Sequence, residues 1–388
     1  MRVIRTSDSC ESVVGNRQSK IEIGGTINIP DPPEFDAPMN KAHPKKAASA
    51  TGPLWMQYWL LRLCEVDSTS GREDALLPSL HQLLEEMGAE VFEQPVATGR
   101  TNVLALWGRP RVLFSTHLDT VPPFIPPKKQ GNAIHGRGTC DAKGQIMAQL
   151  EAIRQMLREG ITGFAWLGVV GEETDSSGAA AAMGLSDRVR DCRALINGEP
   201  TDLKLATGQR GLLHLRLKCT GRGAHSGSPE LGLDANWMLI DWLQRLRDLP
   251  TLEDPELGPE VWNLGRMEGG EAINSVPAHA EAHVLGRTLP RSLFELQVED
   301  LKPEGGEVET ILSEPADRYP AIQGFDHAPM PFGSDAPRLR DLIPSRTVVL
   351  AGPGSIASAH TENEHITLAA LALGVALNKR LAIHFLKD

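Results

Sequence analysis

From about residue 54 onward, the hydrophobic positions alternate between helix-like and strand-like spacings. One stripe steps by four, three and four residues and predicts an amphipathic helix: Leu76, Leu80, Leu83 and Met87. A second helix is predicted over 143–159. Five continuously apolar runs predict buried strands: 102–107, 112–116, 164–170, 194–197 and 347–351. Apolar strands that alternate with helices favour an α/β fold with a mostly parallel sheet flanked by helices.

The middle of the chain follows a different pattern. Residues 212–220 alternate between apolar and polar, and a helix whose apolar stripe includes Trp242 comes next. Two strands around 269–270, a short helix and a last strand at 307–312 complete a β-α-β-β-α-β order, which predicts a small inserted domain. The predicted organisation is an N-terminal extension (1–53) and a catalytic domain built from two segments (54–210 and 314–388), between which lies an inserted lid or dimerisation domain (211–313).

The N-terminal extension is rich in proline and has no helical period. Residues 20–29 alternate on both sides of a Gly-Gly pair, which is typical of a hairpin. Because a lone two-stranded hairpin is marginal in water, we expect this segment to lie outside the core fold.

Composition narrows the class of protein. The 388 residues are 41% hydrophobic and carry a formal net charge of −11, values of a globular, mildly acidic protein. No block of Lys and Arg provides a surface for nucleic acid, and no apolar run reaches transmembrane length. There is no apolar signal-peptide core, and the five cysteines form no C-x-x-C pair: Cys10, Cys64, Cys140, Cys192 and Cys219. We therefore expect a cytoplasmic protein with free thiols and no nucleic-acid or membrane partner.

Acids and histidines gather where the predicted strands end: His117 and Asp119, Glu172 and Glu173, Glu199, and His360 after a Gly/Pro turn. Asp141 precedes the helix at 143–159. Ligands of open α/β sheets bind outside the carboxyl ends of the strands. Two imidazoles with several carboxylates suit zinc or a similar divalent ion, and a shared carboxylate suits a two-metal site.

Each of these residues has an ordinary interpretation when taken alone. A Glu-Glu pair after a strand is usually a solvated loop, and a lone histidine is usually a surface group. Asp141 would most simply cap the following helix, stabilising it by about 1 kcal/mol. These interpretations do not explain why so many such groups coincide at one edge of the sheet.

Seven motifs, taken in order, resemble the series of the dinuclear zinc amidohydrolase and peptidase family. That family includes acetylornithine deacetylase, succinyl-diaminopimelate desuccinylase, aminoacylase and glutamate carboxypeptidase. The motifs are STHLDTVP (115–122), GRGTCDAKG (136–144), GEE (171–173), GEPT (198–201), GAHS (223–226), the segment 269–277 and AHTENE (359–364). The resemblance implies a zinc-exopeptidase-like catalytic domain with an inserted lid.

The same resemblance implies a set of metal ligands. His117, Asp141 and Glu199 would hold one ion, and Asp141, Glu173 and His360 the other, with Asp141 bridging. Two divalent ions are expected: Zn²⁺ first, with Co²⁺ or Mn²⁺ as alternatives. Asp119 would accept the second imidazole N–H of His117. Glu172 would be the general base for a metal-activated water that attacks an amide carbonyl.

The resemblance also implies substrate contacts from the inserted domain and its surroundings. His225 would stabilise the tetrahedral intermediate, often in the active site of the partner subunit. Asn274 and Arg287 would hold the substrate, and a loop with Gly333 and Ser334 would receive its free carboxylate. As alternatives, Asn274 would be a turn residue and Arg287 a surface cation.

The predicted activity is hydrolysis of an amide bond in a small N-acylated amino acid or peptide. The GTCDAKG and GEPT motifs look most like acetylornithine deacetylase, while desuccinylase, glutamate carboxypeptidase or dipeptidase activity stays open. A non-catalytic metal- or peptide-binding protein is the alternative of another class, but such a protein would not need Glu172. A homodimer is expected, paired through residues 212–220 at a sheet edge beside the helix with Trp242. The alternative is a monomer whose lid closes on its own site.

Overall fold

The computed structural model describes residues 52–387. The predicted hairpin at 20–29, Cys10 and most of the N-terminal extension lie outside these residues. Within 52–387 the cysteines are buried and free of disulfides: Cys64, Cys140, Cys192 and Cys219.

The secondary structure of residues 52–387 alternates between helices and strands. The α-helices are α1 (Gly52–Cys64), α2 (Leu77–Glu86), α3 (Lys143–Arg158), α4 (Ser177–Ala181), α5 (Ser186–Val189), α6 (Ala235–Arg247), α7 (Phe294–Asp300), α8 (Ala336–Leu339) and α9 (Leu368–Lys387). The strands are β1 (Glu90–Ala97), β2 (Arg100–Trp107), β3 (Val112–His117), β4 (Lys128–Gln130), β5 (Ala133–His135), β6 (Phe164–Val169), β7 (Ala194–Asn197), β8 (Leu205–Gln209), β9 (Leu212–Thr220), β10 (Ala224–His225), β11 (Glu253–Asp254), β12 (Gly258–Pro259), β13 (Val261–Gly269), β14 (Ser275–Val276), β15 (His279–Arg287), β16 (Gly306–Glu314), β17 (Asp317–Arg318), β18 (His327–Met330), β19 (Val348–Leu350) and β20 (His365–Thr367).

Six of these strands form the main sheet, in the order β1-β2-β6-β3-β7-β19. The strands β6, β3, β7 and β19 run parallel, whereas β2 is antiparallel to both of its neighbours. The parallel orientation brings four carboxyl ends to the same edge of the sheet, which is where α/β folds bind ligands.

Helices cover both faces of the main sheet, because successive side chains of a strand point to opposite sides. In β3, Phe114 joins the core shared with α1, α3 and α9, while Leu113 joins the core shared with α4, α5 and α8. Trp166 and Leu167 of β6 divide in the same way. This layered architecture confirms the predicted α/β fold class.

The edge strand β1 was not among the predicted strands. No residue of Glu90–Ala97 is fully buried, and the pairing with β2 shifts register next to Pro95. Proline is tolerated at a sheet edge because one side of an edge strand needs no hydrogen bonds. The polar sequence of β1 therefore carries no strand signal of its own, and pairing with β2 defines it.

The C-terminal helix α9 is long and apolar enough, by length and composition, to cross a membrane. Its buried side belongs to the core that it shares with α1 and α3: Leu371, Val375, Leu381 and Phe385. A core helix of a folded domain has the same length and composition, so these two properties do not distinguish α9 from such a helix.

A second, four-stranded antiparallel sheet has the order β13-β15-β9-β16. Alternate residues of β9 are buried, and they pack with α6 and α7 into a separate core. Asp234 caps the N-terminus of α6, because its side chain accepts the N–H groups of Asn236 and Trp237.

The prediction that residues 212–220 form a sheet edge is wrong. The strand β9 lies between β15 and β16, so its backbone groups are already paired, and β13 and β16 are the edges. The apolar helix beside it is also covered, since Trp242 is completely buried and donates its indole N–H to the Val298 carbonyl at 3.2 Å. Alternation reports that one face of a strand is buried but does not report its place in the sheet.

We expect Trp242→Ala to lower the free energy of unfolding by about 3–5 kcal/mol, because it removes a large fully buried side chain and leaves a cavity. Urea unfolding followed by circular dichroism would measure the loss. Leu296→Ala on α7 is the control, since this leucine is 62% exposed and its removal should change stability by no more than about 0.5 kcal/mol. Equal effects of the two substitutions would contradict the packing argument.

Candidate metal centre

The candidate site lies at the carboxyl ends of the parallel strands. His117 is the last residue of β3, Glu172 and Glu173 follow β6, and Glu199 follows β7. The strand order places β3 between β6 and β7, so these chain ends are neighbours. Sheet topology therefore gathers residues that lie far apart in the sequence.

Asp141 is at the centre of the cluster. One carboxylate oxygen lies 2.9 Å from His117 Nε2, and the other lies 3.3 Å from His360 Nε2. His360 Nε2 is also 2.9 Å from a carboxylate oxygen of Glu173. Ligand atoms of His117, Asp141 and Glu173 all lie within 4.8 Å of one another. One carboxylate thus faces two imidazoles, as a bridging ligand would.

Asp141 does not cap α3. The residue at the cap position is Ala142, which makes no side-chain cap hydrogen bond, and within residues 52–387 the Asp141 side chain does not bind the first turn of that helix. The ordinary interpretation of Asp141 as a helix cap is therefore wrong, and its carboxylate points toward the histidines instead.

His360 has a left-handed backbone, with φ of 60°. Residues other than glycine rarely adopt this conformation, and such residues cluster at functional sites. The His360 side chain is 48% exposed, whereas the side chains of His117 and Asp141 are almost completely buried. His360 is therefore the most accessible member of the cluster.

Asp119 contacts both His117 and the loop that carries Glu172 and Glu173. The Nδ1 atom of His117 lies 3.0 Å from the carbonyl oxygen of Asp119 and 3.5 Å from its carboxylate, so the carbonyl is the closer acceptor. The carboxylate of Asp119 accepts the Ser70 hydroxyl at 2.8 Å and the N–H groups of Glu172 and Glu173 at 3.2 Å each. It thereby fixes the loop that carries both glutamates.

We expect Asp119→Asn to weaken metal binding or activity by about 10–100-fold with little loss of fold, because the amide keeps the size of the side chain but turns one acceptor into a donor. The N–H groups of Glu172 and Glu173 bind different oxygens of Asp119, so that donor would oppose one of them in either orientation of the amide. Metal titration and steady-state kinetics would measure the change. Asp187→Asn on α5 is a control away from this cluster, and equal losses in both variants would argue against the supporting role.

The electrostatics of the site are dominated by carboxylates. Burial, together with neighbouring acids, raises the pKa of Glu172 and of Glu199 well above the usual range. Hydrogen bonds to Asp141 and Glu173 raise the pKa of His360 to about 10. Against the effect of burial, hydrogen bonds to His117 and His360 hold the pKa of Asp141 below its usual value. A divalent cation would neutralise this concentrated negative charge.

The donor set fits the metal ions that the sequence predicts. Imidazole nitrogens and carboxylate oxygens within one buried cluster suit Zn²⁺, Co²⁺ or Mn²⁺. Glu199 is buried and contributes charge to the same cluster, although no hydrogen bond joins it to the other acids within residues 52–387.

The sequence analysis placed Asp335 in the loop with Gly333 and Ser334 but gave its side chain no role of its own. This residue is 1% exposed, and within residues 52–387 neither carboxylate oxygen has a hydrogen-bond partner. Burial raises its pKa to about 7. The neighbouring Gly333 and Ser334 were candidate site residues, so the sequence offered a signal that the acid in the same loop also belongs to the site. Ser70, a single serine in a loop, offered no such signal.

The predicted substrate residues differ in burial and in the groups that they contact. Ser334 is buried and donates its hydroxyl to the Gln209 side chain at 2.6 Å. His225 and Asn274 are exposed, and Arg287 is half-buried at the end of β15. Within residues 52–387, no hydrogen bond or ion pair links these four to the histidines and acids of the cluster.

Comparison with known proteins identifies the family. Residues 113–384 match the model of peptidase family M20/M25/M40. A peptidase M20 domain-containing protein of Schizosaccharomyces pombe is 33% identical over 337 residues, 84% of this chain and 83% of that protein. A probable carboxypeptidase of Aspergillus terreus is 36% identical over 353 residues, 80% of this chain and 81% of that protein.

Solved structures agree in fold. A tripeptidase from Staphylococcus aureus matches with a TM-score of 0.70 and 22% identity, over 85% of this chain and 99% of that chain. A dinuclear metal-binding M20 peptidase from Bacillus subtilis matches with a TM-score of 0.66 and 14% identity, over 86% and 98% of the two chains. The family match confirms the resemblance seen in the motifs: this chain belongs to the M20/M25/M40 family of metallopeptidases.

Proposed function

We propose that this enzyme hydrolyses the amide bond next to a free carboxylate, as a carboxypeptidase does. The observation that carries the proposal is the half-buried Glu172, which directly precedes Glu173 of the cluster and has its N–H held by Asp119. A protein that only bound metal or peptide would need the ligands but not this additional acid. The description of relatives as probable carboxypeptidases supports a peptide substrate.

In this proposal, His117, Asp141 and Glu199 would hold one divalent ion, and Asp141, Glu173 and His360 would hold the other. When bound, such ions lower the pKa of a water molecule and polarise the amide carbonyl. Glu172 would take a proton from the attacking water as its oxygen bonds to the amide carbon, and would pass that proton to the leaving amine as the C–N bond breaks.

A second candidate is the removal of an acetyl group from an N-acyl amino acid. The GTCDAKG and GEPT motifs favour it, since they look most like acetylornithine deacetylase. Asn274, Arg287 and the loop with Gly333 and Ser334 would hold the carboxylate of either kind of substrate. The two candidates therefore differ in the acyl side of the bond.

A substrate panel separates the candidates. Purified enzyme would be tested on peptides with free and amidated C-termini, dipeptides, and N-acetyl and N-succinyl amino acids. We expect cleavage of free-acid peptides and at least a 100-fold lower kcat/KM for the amidated forms, because amidation removes the anchoring charge. Exclusive cleavage of N-acetyl amino acids would establish the deacetylase instead. Activity on none of these compounds would reject the amidohydrolase proposal.

We propose further that the active enzyme is a homodimer that shares His225 between subunits. His225 is exposed on β10 and lies outside the cluster in its own chain. Large exposed apolar residues lie in the segments around it: Leu231, Leu233, Trp237 and Ile273. The exposed edge strand β13 carries Leu264 and Met267, and pairing would cover this edge.

Mixing two inactive variants tests the shared site. We expect His225→Ala and Glu172→Gln chains to recover activity when combined, because a heterodimer contains one site with both residues intact. Activity after verified subunit exchange would be compared with that of each variant alone. If the chains exchange and activity does not return, His225 acts within its own chain.

A further inference from the structure

Two charged residues of the sequence motifs have no role in the proposed chemistry. Arg137 belongs to the GRGTCDAKG motif and Glu364 ends the AHTENE motif. Their side chains form an ion pair with 2.6 Å between Arg137 Nη1 and a carboxylate oxygen of Glu364. Both side chains are almost completely buried, at 2% and 0% exposure.

The second carboxylate oxygen of Glu364 binds the backbone next to the central acid of the cluster. It accepts the N–H of Cys140 at 3.0 Å and the N–H of Asp141 at 3.1 Å. Glu364 therefore receives three hydrogen bonds, one from Arg137 and two from the segment that carries Asp141. Hydrogen bonds to a charged acceptor are stronger than those between neutral groups.

Arg137 binds the other side of the same junction. Its Nη1 atom donates to the carbonyl of Thr361 at 3.3 Å, and its Nε atom donates to the carbonyl of Pro123 at 3.3 Å. Thr361 directly follows His360 in the chain. The pair thus connects the segment of Asp141 with the loop of His360.

A short pair of strands positions Arg137 close to Glu364. In the antiparallel pairing of β5 with β20, His135 lies opposite His365, and Gly136 donates its N–H to the Glu364 carbonyl at 2.9 Å. Arg137 therefore lies two residues after β5, and Glu364 lies directly before β20, next to the paired ends of the two strands. Local backbone pairing brings the two charges together, and they in turn hold the loops beyond the strands.

A contribution to the stability of the fold is a weak explanation for a buried ion pair such as this one. Desolvation of two charges offsets much of their attraction, and apolar residues of similar size are often equally stable. The position of this pair is more informative than its energy, because it joins two segments that each carry a residue of the cluster. His360 is also the most exposed of those residues and has a left-handed backbone, so its position depends on how its loop is held.

We propose that Arg137 and Glu364 are positioning residues of the metal centre, which hold the Asp141 segment and the His360 loop at a fixed distance. The ion shared by Asp141, Glu173 and His360 depends on this link. The other ion depends on it less, since His117 and Glu199 follow strands of the main sheet. This inference rests on the two-ion assignment of the proposed function.

The test measures metal content and affinity, independently of activity. The double variant Arg137→Met/Glu364→Gln removes both charges, which avoids leaving one charge buried without its partner. We expect it to retain about one ion per chain where the unsubstituted protein retains two, with the weaker site at least 10-fold lower in affinity. Metal analysis after gel filtration and competition with a chromophoric chelator would give these values.

Matched variants separate positioning from general destabilisation. Glu362→Gln, in the same loop but exposed, should retain both ions with unchanged affinity. Glu364→Asp keeps the buried charge but shortens its reach by one methylene, so we expect an intermediate loss of affinity at the weaker site. Urea unfolding of the chelated proteins would measure stability without metal. If the pair had a merely structural role, its loss would lower this stability without weakening one metal site more than the other.

The outcomes for this inference and for the proposed function differ. If the unsubstituted protein binds two ions and both Arg137→Met/Glu364→Gln and Glu364→Asp bind them equally well, the positioning role is rejected while the two-ion site stands. If the unsubstituted protein never retains a second ion, the two-ion assignment fails first and this inference fails with it.

Discussion

Glu172→Gln is expected to lower kcat by about 10²–10⁴-fold, because the amide cannot accept the proton of the attacking water. The substitution keeps the size of the side chain and leaves its backbone N–H bound to Asp119, so metal content and stability should stay unchanged. Steady-state kinetics and metal analysis of the same preparation would establish the combination of lost turnover and retained metal.

Glu85→Gln is a suitable control for this substitution, since Glu85 lies on the exposed side of α2. It should have the kcat of the unsubstituted enzyme. Near-normal turnover of Glu172→Gln would assign the base to another residue. Loss of metal together with turnover would mean that Glu172 supports the metal centre rather than the proton transfer.

Removal of the metal ions is expected to abolish amide hydrolysis. The cluster of Asp141, His117, Glu173 and His360 contains the donors for divalent ions, and Glu172 by itself would face a water of ordinary pKa. Dialysis against a strong chelator should reduce activity below detection, and Zn²⁺, Co²⁺ or Mn²⁺ should restore it. Metal analysis should find up to two ions per chain in the active protein.

The chelation experiment could also contradict the proposed metal dependence. Full activity in protein that holds less than about half an ion per chain would reject a metal-dependent mechanism. A second test uses stability, because ions that bind only the folded state raise the midpoint of unfolding as their concentration rises. Addition of Zn²⁺ to the chelated protein should therefore raise its melting temperature.

Several features of the fold could be predicted from local sequence. The apolar runs that became β3, β6 and β7 are buried on both faces, so almost every residue in them is hydrophobic or small. The helix α3 was predicted to within one residue, because its apolar stripe recurs at helical spacing. These patterns reflect contacts that each segment makes along its whole length.

Pairing between distant segments was harder to predict. The edge strand β1 has no buried residue and contains Pro95, and β9 was given an edge position that belongs to β13 and β16. Sheet order is decided by which strands meet after the chain has folded back on itself. The residues within one strand do not specify the neighbours on both of its sides.

The sequence by itself determined the α/β class, the family motifs and the acids and histidines at the strand ends, because period, composition and motif spacing are local properties. Only the tertiary structure decided what those side chains contact. The Asp119 carboxylate holds the N–H groups of Glu172 and Glu173 rather than serving as the nearest acceptor for His117, and Glu364 reaches the backbone of Asp141 across 223 positions. Such hydrogen bonds depend on distances between folded segments, and no pattern within either segment encodes them.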